Sequence, residues 1–164
     1  MTNGEKIEDL RQRSFEAEAQ GNYKAGIALS HDMLDLIEDN RVHLQLAAFQ
    51  WERVALMHLR LNQPIMAEEA ARKSLETYLR KRAVAGGNWS PERDCYLADF
   101  RMTLALSLAY QKRYTEALDC AEQWEKVHFN VRNADDPFIK DVVVPHMKRL
   151  RARKAGEPVP EDAL

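Results

Sequence analysis

The five histidines are the residues of this 164-residue chain best suited to metal binding or to acid–base chemistry. They are His31, His43, His58, His128 and His146. His31 and Asp35 are four residues apart, a spacing that places both side chains on one face of a helix. Because a zinc site needs at least three protein ligands and no third group accompanies this pair, we predict no metal site and no cofactor.

Nucleophilic catalysis lacks its usual sequence patterns as well. The chain contains no nucleophile elbow, no phosphate-binding loop and no dinucleotide glycine fingerprint, and Gly86-Gly87 alone indicates a loop. The many carboxylates are typical of exposed helix faces, where they pair with basic residues four positions away. We therefore expect that the protein is not an enzyme.

The composition favours an all-α protein of the globular class. Hydrophobic residues make up 45% and charged residues 30%, helix formers dominate, and Gly and Pro number six each. The net charge of −2 predicts no general attraction for nucleic acid or an anionic membrane. Since there is no apolar run of about 18 residues, no signal-peptide pattern and only two cysteines, we expect a cytoplasmic protein with reduced thiols and no membrane contact.

Apolar spacing predicts seven helices, separated by turn-forming residues. The first four run over about 5–20, 23–38, 42–61 and 64–82, with Asp39-Asn40 ending the second. The fifth starts at Ser90-Pro91-Glu92, with Ser90 as its cap, and ends near 111, and the sixth spans about 114–129. The seventh starts within 133–137, bends near Pro145 and ends near 154. We predict one domain over 1–155 and a flexible tail over 156–164.

Small residues recur at a fixed interval in three helix pairs. The first helix of each pair carries a large residue, and a small residue follows 16 positions later: Leu10 and Gly26, Trp51 and Ala67, Arg101 and Ala117. Four residues beyond come Ser30, Ala71 and Ala121, and the first helices also contain Ser14, Ala55 and Ala105. Small residues at such positions let two helices cross closely.

This pattern resembles that of the tetratricopeptide repeat family over about Glu5 to Phe129. The second pair fits best, with Trp51, Val54, Ala55 and His58 in the first four positions. Three features depart from the family: Arg13 replaces a leucine, the closing proline is missing, and the pairs are offset by 41 and 50 residues (10 to 51, 51 to 101) instead of 34. The resemblance implies three antiparallel helix pairs in a right-handed superhelix, with the seventh helix as a cap.

In the family, the first helices line a concave groove that binds peptides. Position by position, the resemblance implies a groove formed by Phe15, Phe49, Glu52, Leu56, Leu59, Arg60, Met102, Leu106 and Tyr110, with Glu8, Arg11, Glu18 and Asp99 beside them. Members that bind acidic C-terminal peptides carry Lys and Asn where this chain has Glu52, Leu56, Met102 and Leu106. An apolar groove suits an amphipathic helix or an extended apolar segment. The alternative is that these residues are core and that the seventh helix fills the groove.

A basic cluster ends the seventh helix: Lys148, Arg149, Arg151, Arg153 and Lys154. Cations are favourable at the negative end of a helix dipole, so a solvated helix end explains them. The other interpretation is contact with an acidic partner or RNA, although the aromatic residues of single-strand binders are missing.

The leading hypothesis is a protein–protein interaction scaffold, an adaptor or chaperone-like module that binds a partner segment in the apolar groove. One alternative is a self-associating homodimer without a peptide ligand. Another is a nucleic-acid-associated regulator that uses the basic end of the last helix.

Overall fold

The computed structural model describes residues 2–38 and 43–158, and in these ranges it contains seven α-helices and no strand. The helices are α1 Asn3–Ala19, α2 Tyr23–Glu38, α3 Leu44–Arg60, α4 Pro64–Ala85, α5 Cys95–Tyr110, α6 Tyr114–Val131 and α7 Val144–Lys154. The predicted all-α class is therefore confirmed. Asp39-Asn40, Val42 and residues 159–164 of the predicted tail lie outside the described residues.

The chain divides into two compact units, residues 1–87 and 88–164. In the first unit α1 packs on α2, α2 on α3, and α3 on α4. In the second unit α5 packs on α6, and α6 packs on α7. The superhelix and the single domain stay predictions.

The same turn joins the two helices of each pair. Its middle residue has a positive φ in all three cases: 72° at Gly21, 55° at Asn62 and 61° at Lys112. In the first turn the Asn22 N–H donates to the Ala17 carbonyl at 2.8 Å and the Gly21 N–H to the Glu18 carbonyl at 2.9 Å. Equivalent bonds close the other two turns, so each is a Schellman-type helix end. Because each turn is short and the two helices that it joins pack on each other, the three predicted antiparallel pairs are confirmed.

Each pair buries small side chains from both of its helices. Ala55, Ala67 and Ala71 in the second pair have no exposed surface, and the same holds for Ala105, Ala117 and Ala121 in the third. The first pair buries Ser14 and Ser30 at the corresponding positions. The 16-residue interval thus marks small residues that the helix pairs bury.

The predicted start of the fifth helix is wrong by one turn. Pro91–Arg93 forms a separate 3-10 turn, and the Ser90 side chain makes no capping bond. The cap of α5 is Asp94, whose carboxylate accepts the Leu97 N–H at 3.1 Å. The other carboxylate oxygen of Asp94 accepts the Trp89 indole N–H at 2.6 Å, and this bond holds the preceding loop against the helix start.

Pro145 lies just inside α7, and a π-helical segment, Ile139–Val143, precedes it. Proline has no N–H, and its ring would clash with the carbonyl four residues earlier in an α-helix. A wider turn removes that clash, which explains a π-helical segment at the place where the sequence predicts a bend. The predicted helix start is also observed, since residues 137 and 138 are already helical and lead directly into the π-helical segment. The Asp136 carboxylate accepts the Phe138 N–H at 2.8 Å at this start.

Candidate functional site

Phe15 on α1 is the predicted groove residue with the most distinctive surroundings. Its ring is 44% exposed. The guanidinium carbon of Arg53 on α3 lies over the ring, 3.3 Å from the centroid, and that of Arg11 lies at 5.6 Å. Cation–π stacking therefore holds an exposed aromatic side chain in place between two helices.

An ion pair strengthens this connection between α1 and α3. The Arg53 guanidinium donates to the Glu18 carboxylate through both Nη2 and Nε, the latter at 3.1 Å. The Arg53 side chain is 14% exposed and that of Glu18 is 33% exposed, so water screens this pair less than a fully exposed one. Along α1, Arg11 donates to Glu8 at 2.7 Å, and this hydrogen bond lowers the pKa of Glu8.

The α3 residues of the predicted groove continue this surface. Phe49, Arg53, Leu56 and Arg60 are three or four residues apart and therefore share one side of α3. Leu56 is 37% exposed and Arg60 is exposed, whereas Phe49, Glu52 and Leu59 are half-buried. We call the surface formed by Phe15, Phe49, Arg53, Leu56 and Arg60 the α1–α3 face.

The α5 residues of the predicted groove differ widely in how much of their surface is exposed. Tyr110 is 42% exposed and Leu106 is half-buried, but Met102 is only 7% exposed and belongs to the interior of the second unit. The Asp99 carboxylate accepts hydrogen bonds from α6, from the Trp124 indole at 3.1 Å and from His128 Nε2 at 3.0 Å. Asp99 thus connects α5 to α6.

Helix α7 packs on α6, the second helix of its pair. Val143, Met147 and Leu150 are almost fully buried, and the Trp124 ring of α6 contacts the rings of Phe138 and His146. Tyr96 and Tyr110 of α5 keep half or nearly half of their surface exposed. Within the second unit, α7 therefore leaves both tyrosines of α5 uncovered.

The members of the basic cluster differ in their contacts and in their exposure. Arg151 donates to Glu125 of α6 at 2.7 Å, and Arg149 Nη2 lies 3.0 Å from His146 Nδ1. Arg153 is half-buried, whereas Lys148 and Lys154 are exposed. Arg149 and Arg151 thus make contacts inside the second unit, which a patch reserved for an external partner would not require.

One buried polar site in the first unit was not predicted from the sequence. Gln50 on α3 is 2% exposed, and its amide donates to Ser30 Oγ at 2.6 Å. Ser30 in turn donates to the Gly26 carbonyl at 2.7 Å and lies 2.9 Å from Ser14 Oγ. The only available signal was the serine pair at the 16-residue interval, because Gln50 lies 20 residues beyond Ser30.

The titratable residues of the described ranges form no group of three or more His, Cys, Asp or Glu that could hold a metal ion. His31, which the sequence spaces four residues from Asp35, packs its ring edge-on to the Trp51 ring, with the ring centroids 5.4 Å apart. Burial raises the pKa of the Cys95 thiol, and Asp99 adds to that effect, which disfavours the nucleophilic thiolate.

No protein-family model matches the chain, and no curated protein matches its sequence. In the part of the chain that the structure describes, none of the helices is both long and apolar enough to cross a membrane.

Proposed function

We propose that this chain is a tetratricopeptide-like scaffold that binds another protein through the α1–α3 face. The observation that carries the proposal is that Phe15 is exposed yet held in place by Arg53 of α3, the helix that also exposes Leu56. Arg53 stacks on Phe15, and Leu56 lies one helical turn beyond Arg53. Apolar groups held at a surface are typical of interaction sites.

The surroundings of these two residues favour a helical or extended partner segment. Glu18 and Arg53 are paired with each other, so they can border an apolar contact without leaving a charge unbalanced. Arg60 is exposed at the end of the face and is available to an acidic group of the partner. An amphipathic helix with an acidic edge has this chemistry.

The scaffold part of the proposal rests on the repeated construction of the helix pairs. Three turns share one hydrogen-bond pattern, and three crossings bury small residues at corresponding positions. In repeat proteins, equivalent positions of successive helix pairs form extended surfaces. An adaptor or chaperone-like role is compatible with such a surface, and no catalytic group is needed.

The test compares Leu56→Glu with Leu79→Glu. Both leucines belong to the second helix pair and both are partly exposed, at 37% and 44%, but Leu79 lies on α4. The partner is first captured from the native cell extract, purified, and titrated against each variant by calorimetry. We expect Leu56→Glu to weaken binding by about 2 kcal/mol, or roughly 30-fold, because it places a carboxylate in an apolar contact. Leu79→Glu should bind as the wild type does.

Equal binding by the wild type and Leu56→Glu would overturn the assignment of the face. Circular dichroism establishes whether each variant keeps its helical content and melting temperature. Should Leu56→Glu unfold, Arg60→Glu reverses a charge on the same face at an exposed position, and unchanged binding by that variant would count equally against the proposal.

The second candidate function is self-association through α4. This helix exposes four large apolar side chains: Ile65 at 71%, Val84 at 66%, Met66 at 48% and Leu79 at 44%. Light scattering across a concentration series should then give a dimer mass that Val84→Glu reduces to that of a monomer. A monomer mass at every concentration would reject this candidate.

A further inference from the structure

His146 joins α7 to α6 and is half-buried there. Its ring packs edge-on to Trp124 of α6, with the ring centroids 6.4 Å apart. Trp124 also contacts His128 at 5.4 Å and Phe138 at 6.1 Å. His146 therefore lies in the aromatic contact that holds the last helix on the second unit.

One nitrogen of His146 has two neighbours with incompatible requirements. Nδ1 lies 2.9 Å from the Val142 carbonyl oxygen and 3.0 Å from Arg149 Nη2. A carbonyl can only accept a hydrogen bond, and a guanidinium can only donate one. Since an imidazole nitrogen either carries a proton or has a lone pair, only one of these two bonds can exist in a given protonation state.

We propose that His146 is an acid-sensitive switch in the docking of α7. In the neutral ring Nδ1 accepts from Arg149, and the proton resides on Nε2. When a proton from solvent binds to Nδ1, this atom donates to the Val142 carbonyl and the Arg149 bond is lost. The half-buried ring then carries a charge beside the Arg149 guanidinium, and α7 loosens from Trp124 because undocking exposes both cations to water.

The groups around His146 support this direction. Burial lowers the pKa of His146; the Val142 carbonyl opposes that effect, and the positive charge of Arg149 adds to it. On α6, Glu125 is held by Arg151, and His128 is held by Asp99 of α5. Neither carboxylate is hydrogen-bonded to His146, and after burial and the Val142 carbonyl it is the charge of Arg149 that shifts the pKa of His146.

The sign of the pH effect follows from the lowered pKa. In the unfolded chain His146 titrates near the ordinary value of about 6.5. A group with a lower pKa in the folded state contributes stability above the unfolded value and loses that contribution as the pH falls below it. The docking of α7 should therefore be tightest above pH 6.5 and should weaken in acid, where Arg149 becomes available at the surface.

The first experiment observes the ring directly. In the ¹⁵N-labelled full chain, long-range imidazole spectra report the protonation of each nitrogen during a pH titration. We expect the proton of the neutral ring on Nε2, a His146 titration midpoint below that of a free histidine, and a rise of that midpoint in Arg149→Ala. A neutral ring protonated on Nδ1, or a midpoint that Arg149→Ala leaves unchanged, would overturn the proposal.

The second experiment measures the consequence for α7. Amide-exchange protection factors of residues 147–154 are compared at pH 7.5 and pH 5.5. We expect the wild type to lose protection in acid, by up to about tenfold for each pKa unit between the folded and unfolded states. His146→Gln should lose none.

The matched control is His31→Gln in the first unit, because His31 also packs edge-on to a tryptophan, Trp51, at 5.4 Å. It should respond to acid as the wild type does. An acid response that persists in His146→Gln would assign the effect to another group and reject the switch. If His146→Gln does not fold, Arg149→Ala provides the same test, since it removes the repulsion and should reduce the loss of protection.

Discussion

The first and second helix pairs both bury small residues where their helices cross, but these residues are polar in one pair and apolar in the other. The second pair places Ala55, Ala67 and Ala71 where its helices cross, whereas the first pair places Ser14, Gly26 and Ser30 at the corresponding positions. All of these positions are buried. In the second pair small size alone permits the close approach, but in the first pair two hydroxyl groups must also find hydrogen-bond partners.

Those partners connect the first pair to α3. Ser14 and Ser30 share the Gly26 carbonyl, at 3.2 and 2.7 Å, and the Gln50 amide donates to Ser30. Met57 of α3 also occupies the space beside Gly26, because a Cβ at that position would lie 2.7 Å from its sulfur. The polar crossing thus fixes how α3 packs against the first pair. Residues that depart from the alanine pattern of the other pairs can therefore serve to position the next helix.

The largest expected effect comes from removing the Met57 side chain. Met57 is 1% exposed, so Met57→Ala should lower the free energy of unfolding of the first unit by about 2–5 kcal/mol through the cavity it creates. Met66→Ala, at a 48% exposed position, should change it by less than about 0.5 kcal/mol. Urea denaturation followed by circular dichroism measures both.

A second substitution sharpens the Met57 result. Gly26→Ala should destabilise the wild type, where the added Cβ meets the Met57 sulfur, but it should cost less in Met57→Ala, where that space is empty. Equal effects in the two backgrounds would show that Gly26 and Met57 do not constrain each other.

The next effect in size concerns the hydroxyl groups. Ser30→Ala removes the acceptor at 2.6 Å from the Gln50 amide and leaves this buried donor only the longer bond to Ser14 Oγ, at 3.4 Å. It should therefore lower the free energy of unfolding by about 1–3 kcal/mol. The triple variant Ser14→Ala, Ser30→Ala and Gln50→Leu makes the first crossing as apolar as the second. It should be more stable than Ser30→Ala alone. A triple variant that is less stable by the sum of the single changes would mean that the hydrogen bonds are not coupled.

The smallest effect lies in the turns. Gly21 and Lys112 occupy the same place with nearly equal φ, 72° and 61°, a region where residues with a Cβ are strained. Lys112→Gly should therefore raise the thermal stability of the second unit, by about 0.5–1 kcal/mol in the free energy of unfolding. Lys112→Ala serves as the control for the loss of the lysine side chain, and a gain of equal size in that variant would contradict the backbone explanation.

Local features of the sequence were sufficient for most of the fold. The turns at Gly21 and Asn62 and the proline at the start of α4 were predicted correctly, because turn and cap preferences act within a few residues. The start of α5 was wrong because Ser90 and Asp94 both fit a helix cap. In the structure Asp94 is the cap, and its carboxylate also accepts the Trp89 indole N–H. Nothing in the sequence indicates that bond.

The candidate site was harder to predict from the sequence than the fold was. Leu56 and Met102 are both apolar residues on first helices, yet one is 37% exposed and the other 7%. The basic cluster likewise reads as one patch, but Arg151 is held by Glu125, 26 residues earlier in the chain. Exposure and pairing depend on neighbours that periodicity does not identify.

Sequence alone was enough to predict the all-α class, the places where the chain turns and the 16-residue interval of small residues. These follow from apolar spacing and backbone preferences, which act over one or two helical turns. The packing of the helices was needed to show which of those residues remain at the surface, which hydroxyl groups accept from the Gln50 amide and how Arg53 holds Phe15. Such contacts join residues 20 to 38 positions apart, and they form only when helices distant in the sequence pack together.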